Sequence, residues 1–254
     1  MIFETHAHYE DEAFDDDRAQ LLANLPHKGI EYVVDVSSTL ESVDKVLDLT
    51  EQYSFIYGAV GIHPEATKDL DEDRFLWLKQ KIKHPKNVAI GEIGLDYYWD
   101  TSARATQKKW FNRQLELAKE VNLPVIIHSR DAANDTYELL KESKVDSVGA
   151  IIHCFGYGVE QARQYLNMGF YLGIGGVLTF KNGRKLKEVV EYVPLEALVL
   201  ETDCPYLAPV PFRGKRNDST LLYLVAEEIA RIKNIGPDTV IEVTNENAKR
   251  FYRI

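Results

Sequence analysis

Short apolar runs rich in β-branched residues alternate with amphipathic segments of helix length along the whole chain. No other feature constrains the fold as much. Strands are predicted over Ile2–His6, Tyr32–Ser37, Tyr57–His63, Val88–Gly94, Val125–His128, Ala150–Cys154, Tyr171–Gly175 and Leu198–Thr202. Helices are predicted over Asp16–Lys28, Glu41–Tyr53, Arg74–Lys83, Ala103–Val121, Ala132–Ser143, Glu160–Met168, Leu186–Tyr192, Leu221–Asn234 and Pro237–Arg253, the last with an ambiguous middle at Val240–Thr244. Gly29 and Gly169 stand where helices should stop, and Pro237 suits a first helical turn. Eight strands, each followed by a helix, in 254 residues predict a single-domain α/β protein, a (β/α)8 TIM barrel. Runs such as Val33-Val34-Asp35-Val36 and Val125-Ile126-Ile127 are continuous rather than alternating, as parallel strands covered on both faces require. An open doubly wound sheet would carry a Gly-rich phosphate loop after strand one. That position holds Thr5-His6-Ala7-His8 instead.

Composition narrows the class further. A chain of this length, 45% hydrophobic, can bury a core without covalent staples. Cys154 and Cys204 make no disulfide framework and suit a reducing compartment. With no basic leader and no apolar run approaching ~20 residues, a cytoplasmic protein without a membrane partner is expected. No obligate protein partner is evident. The net charge of -10 argues against a non-specific coat on nucleic acid. It leaves room for an enzyme whose carboxylates bind cations and whose local basic patch meets phosphates.

The chemistry collects at strand ends. His6 and His8 are two apart, so on an extended strand they face one side with Cα atoms roughly 6.6 Å apart, close enough to grip one ion. Glu92 sits inside the apolar run Ala89-Ile90-Gly91-Glu92-Ile93-Gly94, where a buried carboxylate needs a partner. His128 and His153 end Val125-Ile126-Ile127 and Ile151-Ile152, and Asp203 follows Leu198–Thr202. Barrel enzymes carry their active sites at the C-terminal ends of the strands. His6, His8, Glu92, His128, His153 and Asp203 are therefore expected to converge on one rim and hold one or two divalent ions, Mg, Mn or Zn, sharing a carboxylate. Glu201, two before Asp203, should face the same way and either orient a ligand or act as a general base. His63, in Gly61-Ile62-His63-Pro64, is read as a substrate-phosphate contact or a turn cap.

Basic residues follow strands seven and eight: Lys181, Arg184, Lys185 and Lys187, then Arg213, Lys215 and Arg216. Those loops are a recurrent phosphate site in barrels, so Lys181, Arg184, Arg213 and Lys215 are expected to meet substrate phosphates. Tyr206, and less strongly Tyr98 and Trp99, offer rings able to stack on bases. Strand alternation predicts that Cys154 and Cys204, each next to a ligand candidate, point into the barrel–helix layer.

Together, Thr5-His6-Ala7-His8, Gly61-Ile62-His63-Pro64, Gly91-Glu92-Ile93-Gly94-Leu95-Asp96-Tyr97, His128-Ser129-Arg130-Asp131-Ala132, His153-Cys154-Phe155 and Glu201-Thr202-Asp203-Cys204-Pro205-Tyr206-Leu207 resemble the TatD family of metal-dependent deoxyribonucleases, from residue 3 to the C-terminus. The resemblance implies a TIM barrel of the amidohydrolase-like hydrolases that cleaves DNA phosphodiesters. It also implies a divalent-metal site at His6, His8, Glu92, His128, His153 and Asp203, with Glu92 shared between two ions. In that reading Asp203 takes a proton from the attacking water, and His63 with the basic loops clamps phosphate. The chain departs from the family pattern at Glu4, where Asp is usual, at Gly156-Tyr157 and at Asp218-Ser219-Thr220. Two alternatives remain at this level: a hydrolase of a small amide, ester or lactone on the same scaffold, and a non-catalytic metal- or nucleic-acid-binding barrel. Many amidohydrolases bridge their ions with a modified lysine where this chain has Glu92, and the basic rim favours phosphate.

Overall fold

The computed structural model describes residues 1–99 and 101–254. Eight parallel strands run in sequence order: β1 (Ile2–Ala7), β2 (Ile30–Val36), β3 (Ile56–Ala59), β4 (Asn87–Asp96), β5 (Val125–Arg130), β6 (Ala150–Ile152), β7 (Tyr171–Ile174) and β8 (Leu198–Leu200). Closure comes just beyond β8. Ala7 bridges Cys204 in parallel, His8 N donates to Cys204 O at 2.9 Å, and Asp203 N donates to His6 O at 3.0 Å. The result is the expected (β/α)8 barrel.

The helices are α1 (Arg18–Asn24), α2 (Leu40–Gln52), α3 (Glu72–Lys81), α4 (Arg104–Val121), α5 (Ala133–Ser143), α6 (Val159–Asn167), α7 (Arg184–Tyr192), α8 (Leu222–Lys233) and α9 (Pro237–Tyr252). α9 is continuous through Val240–Thr244, with Val240, Thr244 and Ala248 buried on one stripe. The first predicted helix divides. Pro26 has no N–H to donate, so α1 ends before it, a 3-10 turn covers Pro26–Lys28, and Gly29 stops the segment at φ 84°.

Two apolar clusters follow from the period-two alternation of the strands. Ile2, Val33, Ile90, Val125, Ile152 and Leu198 pack outward in the layer under the helices. Phe3, Val34, Ala59, Ile126, Ile151 and Val199 form a second cluster with Phe251 and Tyr252 of α9. The Tyr252 ring stacks on Phe3 with centroids 5.6 Å apart, and its hydroxyl donates to Thr5 O at 2.8 Å.

Strand ends depart from expectation where side chains replace the ladder. β3 stops at Ala59 instead of reaching His63. Beyond it Val60 N donates to Asn87 Oδ1, Gly61 N to Ser37 Oγ and Ile62 N to Gln114 Oε1, at 2.8–3.0 Å. Only Val60 keeps backbone bonds to β4, with Ala89 O and Gly91 N, and the side chains satisfy the N–H groups of Gly61 and Ile62. β4 runs longer, to Asp96, because Leu95 and Asp96 pair with Ser129 and Arg130 of an extended β5.

Candidate metal centre

The donors predicted from strand ends come together. His6 and His8 leave β1 with their Nε2 atoms 3.1 Å apart. Glu92, on β4, spans the group. Its Oε2 lies 3.5 Å from His6 Nε2 and 3.9 Å from His8 Nε2. Its Oε1 lies 2.6 Å from His128 Nδ1, 3.5 Å from His153 Nε2 and 3.9 Å from His63 Nε2. Asp203 closes the ring, with Oδ1 3.5 Å from His8 Nε2, 3.7 Å from His153 Nε2 and 3.8 Å from His6 Nε2. Ligands 2.0–2.2 Å from a common tetrahedral centre stand about 3.3–3.6 Å apart. Most of the observed spacings, 3.1–3.9 Å, lie near that range, while Glu92 and His128 at 2.6 Å stand at hydrogen-bond distance. The residues form overlapping donor groups. One Glu92 oxygen faces His6–His8–Asp203 and the other belongs with His63 and His128, while His153 joins His6 and Glu201 in one group and Cys154 and Asp203 in another. These residues fit a divalent-cation site.

Three of the imidazoles have a partner behind the ring, whereas His6 Nδ1 is buried without one. His8 Nδ1–H donates to the Val36 carbonyl at 2.8 Å, which turns Nε2 toward the centre. His128 Nε2 is 2.9 Å from Asp96 Oδ2, leaving Nδ1 for Glu92. His153 Nδ1 faces Glu201 Oε1 at 3.2 Å, leaving Nε2 inward. Such partners fix the ring orientation and raise the basicity of a ligating histidine. Glu201 thus stands behind a ligand, within donor reach of His6 as well, with Oε2 buried and unpartnered. Room for it comes from Gly173, where a Cβ would sit 2.2 Å from Glu201 Oε2.

The donors also set one another's charge. Burial opposes ionisation of Glu92, but His153, His63 and His128 outweigh it and hold the carboxyl well below its usual range. Burial likewise opposes the charged form of His128 and His153. Glu92 and Asp96 still raise His128 to about 9, and Glu201, Glu92 and Asp203 raise His153 to about 10. A cation competes with those protons for the same lone pairs. His63 is different: burial, then the neighbouring His128, lowers it to about 3. Its neutral form is therefore favoured beside Glu92.

The donors open into a cavity of about 750 Å³. Tyr206 lines it. Lys181, Arg184, Arg213 and Lys215 do not, and all four are exposed. Arg184 pairs with Glu188 at 3.0 Å and the Arg213 guanidinium lies 4.5 Å over the Phe180 ring. Lys187 and Arg216 of the same clusters pair with Glu228 and Asp17. Cys204 is buried in the outer layer, as alternation predicts. Cys154 is not. Its backbone turns to φ 44°, alternation breaks, and its sulfur lies within 4.8 Å of donor atoms of His153 and Asp203. Asp96, Arg130 and Lys68 also line the cavity and escaped the reading of the sequence. Period two carried a signal for two of them, since Asp96 is four past Glu92 and Arg130 two past His128.

Comparison with known proteins identifies the family. The profile described as TatD related DNase matches residues 3–253. The chain belongs to that family. It is a metal-dependent hydrolase, an enzyme acting on ester bonds. An uncharacterized metal-dependent hydrolase of Bacillus subtilis (strain 168), YabD, is 45% identical over the full length of both chains. The 3'-5' ssDNA/RNA exonuclease TatD of Rahnella sp. (strain Y9602) is 30% identical, over 100% of this chain and 98% of that one. The crystal structure of YJJV, a TatD homologue from Escherichia coli K12, superposes with a TM-score of 0.94 at 28% identity, covering 100% of this chain and 98% of that one. Among the described residues no helix is long and apolar enough to cross a membrane.

Proposed function

We propose that the chain cleaves phosphodiester bonds of DNA with one or two divalent ions, Mg, Mn or Zn, held by His6, His8, Glu92, His128, His153 and Asp203. The observation that carries this is the shared carboxylate: the two oxygens of Glu92 each face a separate set of donors. Support for the substrate comes from the family and from the Rahnella relative's nuclease name. The bound ions would supply the nucleophile at neutral pH and offset charge building on the phosphate. Asp203 is the general base. Its side chain is only 18% exposed, and His153 and His8 overcome the burial that would raise its pKa, so it stays ionised and able to accept a proton. Glu201 keeps His153 oriented, and His63 adds a neutral donor beside Glu92. We place the activity in the cytoplasm, in keeping with two unpaired cysteines.

The test is a hydrolysis screen of the metal-loaded protein against labelled DNA and RNA oligonucleotides, small esters and lactones. DNA cleavage abolished by chelator and restored by Mg2+ or Mn2+ is expected. Turnover of an ester or lactone with every oligonucleotide left intact would replace the nuclease assignment with small-molecule hydrolysis.

A further inference from the structure

The cavity mouth is lopsided. Its described lining is rich in carboxylates, and its cationic side chains, Lys68 and Arg130, both belong to the β3–β5 side. Arg130 ends β5 two residues past His128, so its side chain leaves the strand on the side of the metal donors. Its guanidinium carbon sits 4.0 Å over the Tyr98 ring and 5.5 Å from the Trp99 ring. Those rings meet edge to face with centroids 4.9 Å apart. A planar guanidinium stacked on an aromatic face keeps its N–H edge free and pre-aimed, the arrangement that suits a phosphate.

The corner is rigidly attached to the centre. The backbone N–H groups of Tyr98 and Trp99 both donate to Asp96 Oδ1 at 2.9 Å, while Asp96 Oδ2 holds His128 Nε2. Ser102 is pinned to the turn after β3. Ser102 Oγ donates to Glu65 O at 3.0 Å and accepts from Lys68 N at 3.1 Å. Yet both rings stay more than half open to solvent, with Tyr98 55% and Trp99 57% exposed. An open aromatic face, a pre-aimed guanidinium and a lysine, all fixed to the donor shell, match what a single strand presents: stackable bases joined by phosphates.

We propose that Trp99, Arg130 and Lys68 form the subsite for the nucleotide next to the bond being cleaved. An unpaired base stacks on Trp99, its phosphate lies against the Arg130 guanidinium, and Lys68 meets a neighbouring phosphate. This rests on the phosphodiesterase assignment and deepens it, since a paired base offers no free face to Trp99. It also moves the phosphate contacts away from the loops after β7 and β8.

The test titrates a phosphorothioate oligothymidylate, slow to be cleaved, into the Mg2+-loaded protein. Anisotropy gives the affinity and its salt dependence, and tryptophan emission reports on the ring. Of the three tryptophans, Trp110 is buried and Trp77 half-buried, so Trp99 is the one open to contact. Emission should change on binding, and W99F should remove that change. Binding should weaken about tenfold in W99A. R130A should weaken binding about tenfold and lower the salt slope by about 0.7, with K68A lowering the slope by a similar amount. The parent should bind an abasic strand about as poorly as W99A binds the intact one. If the parent binds and cleaves DNA while R130A, K68A and W99A keep its affinity and salt slope, the subsite is wrong and the nuclease assignment stands. Weaker binding by R130A at an unchanged slope would also overturn it, marking Arg130 as a prop for the loop. A parent that neither binds nor cleaves any oligonucleotide would remove both.

Discussion

A residue can serve this centre by touching its cation or by aiming one that does. Asp203 belongs to the first kind, near His6, His8 and His153 at once. Asp203→Asn keeps the shape and one oxygen but removes charge and basicity. Turnover on DNA should fall by at least ~10²-fold while oligonucleotide affinity changes little, because the subsite at Arg130 and Trp99 is elsewhere on the rim. Single-turnover cleavage of parent and variant, with chelator controls, measures this, and equal rates would take Asp203 out of the mechanism. Asp96 is of the second kind, and sequence reasoning passed over it. The donors were legible because each interrupts or ends an apolar run, and a polar group there demands a reason. Asp96 closes the same run as Glu92 and alternation puts both on one face, but no local pattern separates a carboxylate that faces the cation from one that holds a ring. Cys154 misled for the opposite reason. Alternation holds only while φ stays extended, and at Cys154 it is 44°.

At the scale of elements, the centre depends on how closely β4 and β5 approach. Gly94 pairs with His128 at φ 152°, and a Cβ added there would lie 1.9 Å from the His128 carbonyl oxygen. The contact is with backbone, so no side-chain rotation relieves it. Gly94→Ala must push β5 away from β4, lengthening the 2.6 Å contact between Glu92 and His128. We expect a loss of at least about 1–3 kcal/mol in urea unfolding, together with weaker metal binding by calorimetry. Loss of stability with unchanged metal affinity would show that the centre does not depend on this approach. Strand identity and order were readable from β-branched runs and their spacing. Where strands stop was not. β3 ends because Asn87, Ser37 and Gln114, from other parts of the chain, take over its hydrogen bonds, and no local pattern announces partners 24 to 52 residues away.

For the whole molecule, acidic excess and site location belong to one electrostatic problem. The chain carries 40 acidic against 30 basic side chains. Many surface charges are paired, as at Glu72–Arg113, Lys79–Glu120 and Lys81–Asp44. Acid also lines the barrel mouth, at Glu10, Glu65, Glu92, Asp96 and Asp203, and more is buried nearby. Glu10 Oε2, Asp35 Oδ2 and Glu201 Oε2 are buried without hydrogen-bond partners, and burial together with Glu10 pushes the Asp35 carboxyl well above its usual range. Gathering carboxylates in a buried site costs stability, and a divalent cation offsets that cost for the ones that face it. The unfolded chain scatters those donors and binds the cation weakly, so metal should stabilise the fold by mass action. At a free-ion concentration of 100 times Kd the gain is about 2.7 kcal/mol, which for a chain of this size raises Tm by roughly 5–10 °C. Glu92→Gln should lose most of the rise, since Glu92 faces both donor groups and a neutral amide cannot bridge two cations. Differential scanning calorimetry across a series of Mg2+ or Mn2+ concentrations checks this in parent and variant. A parent Tm independent of metal would separate the acidic mouth from cation binding. An equal rise in Glu92→Gln would show that the two donor groups are held together by something other than their shared carboxylate.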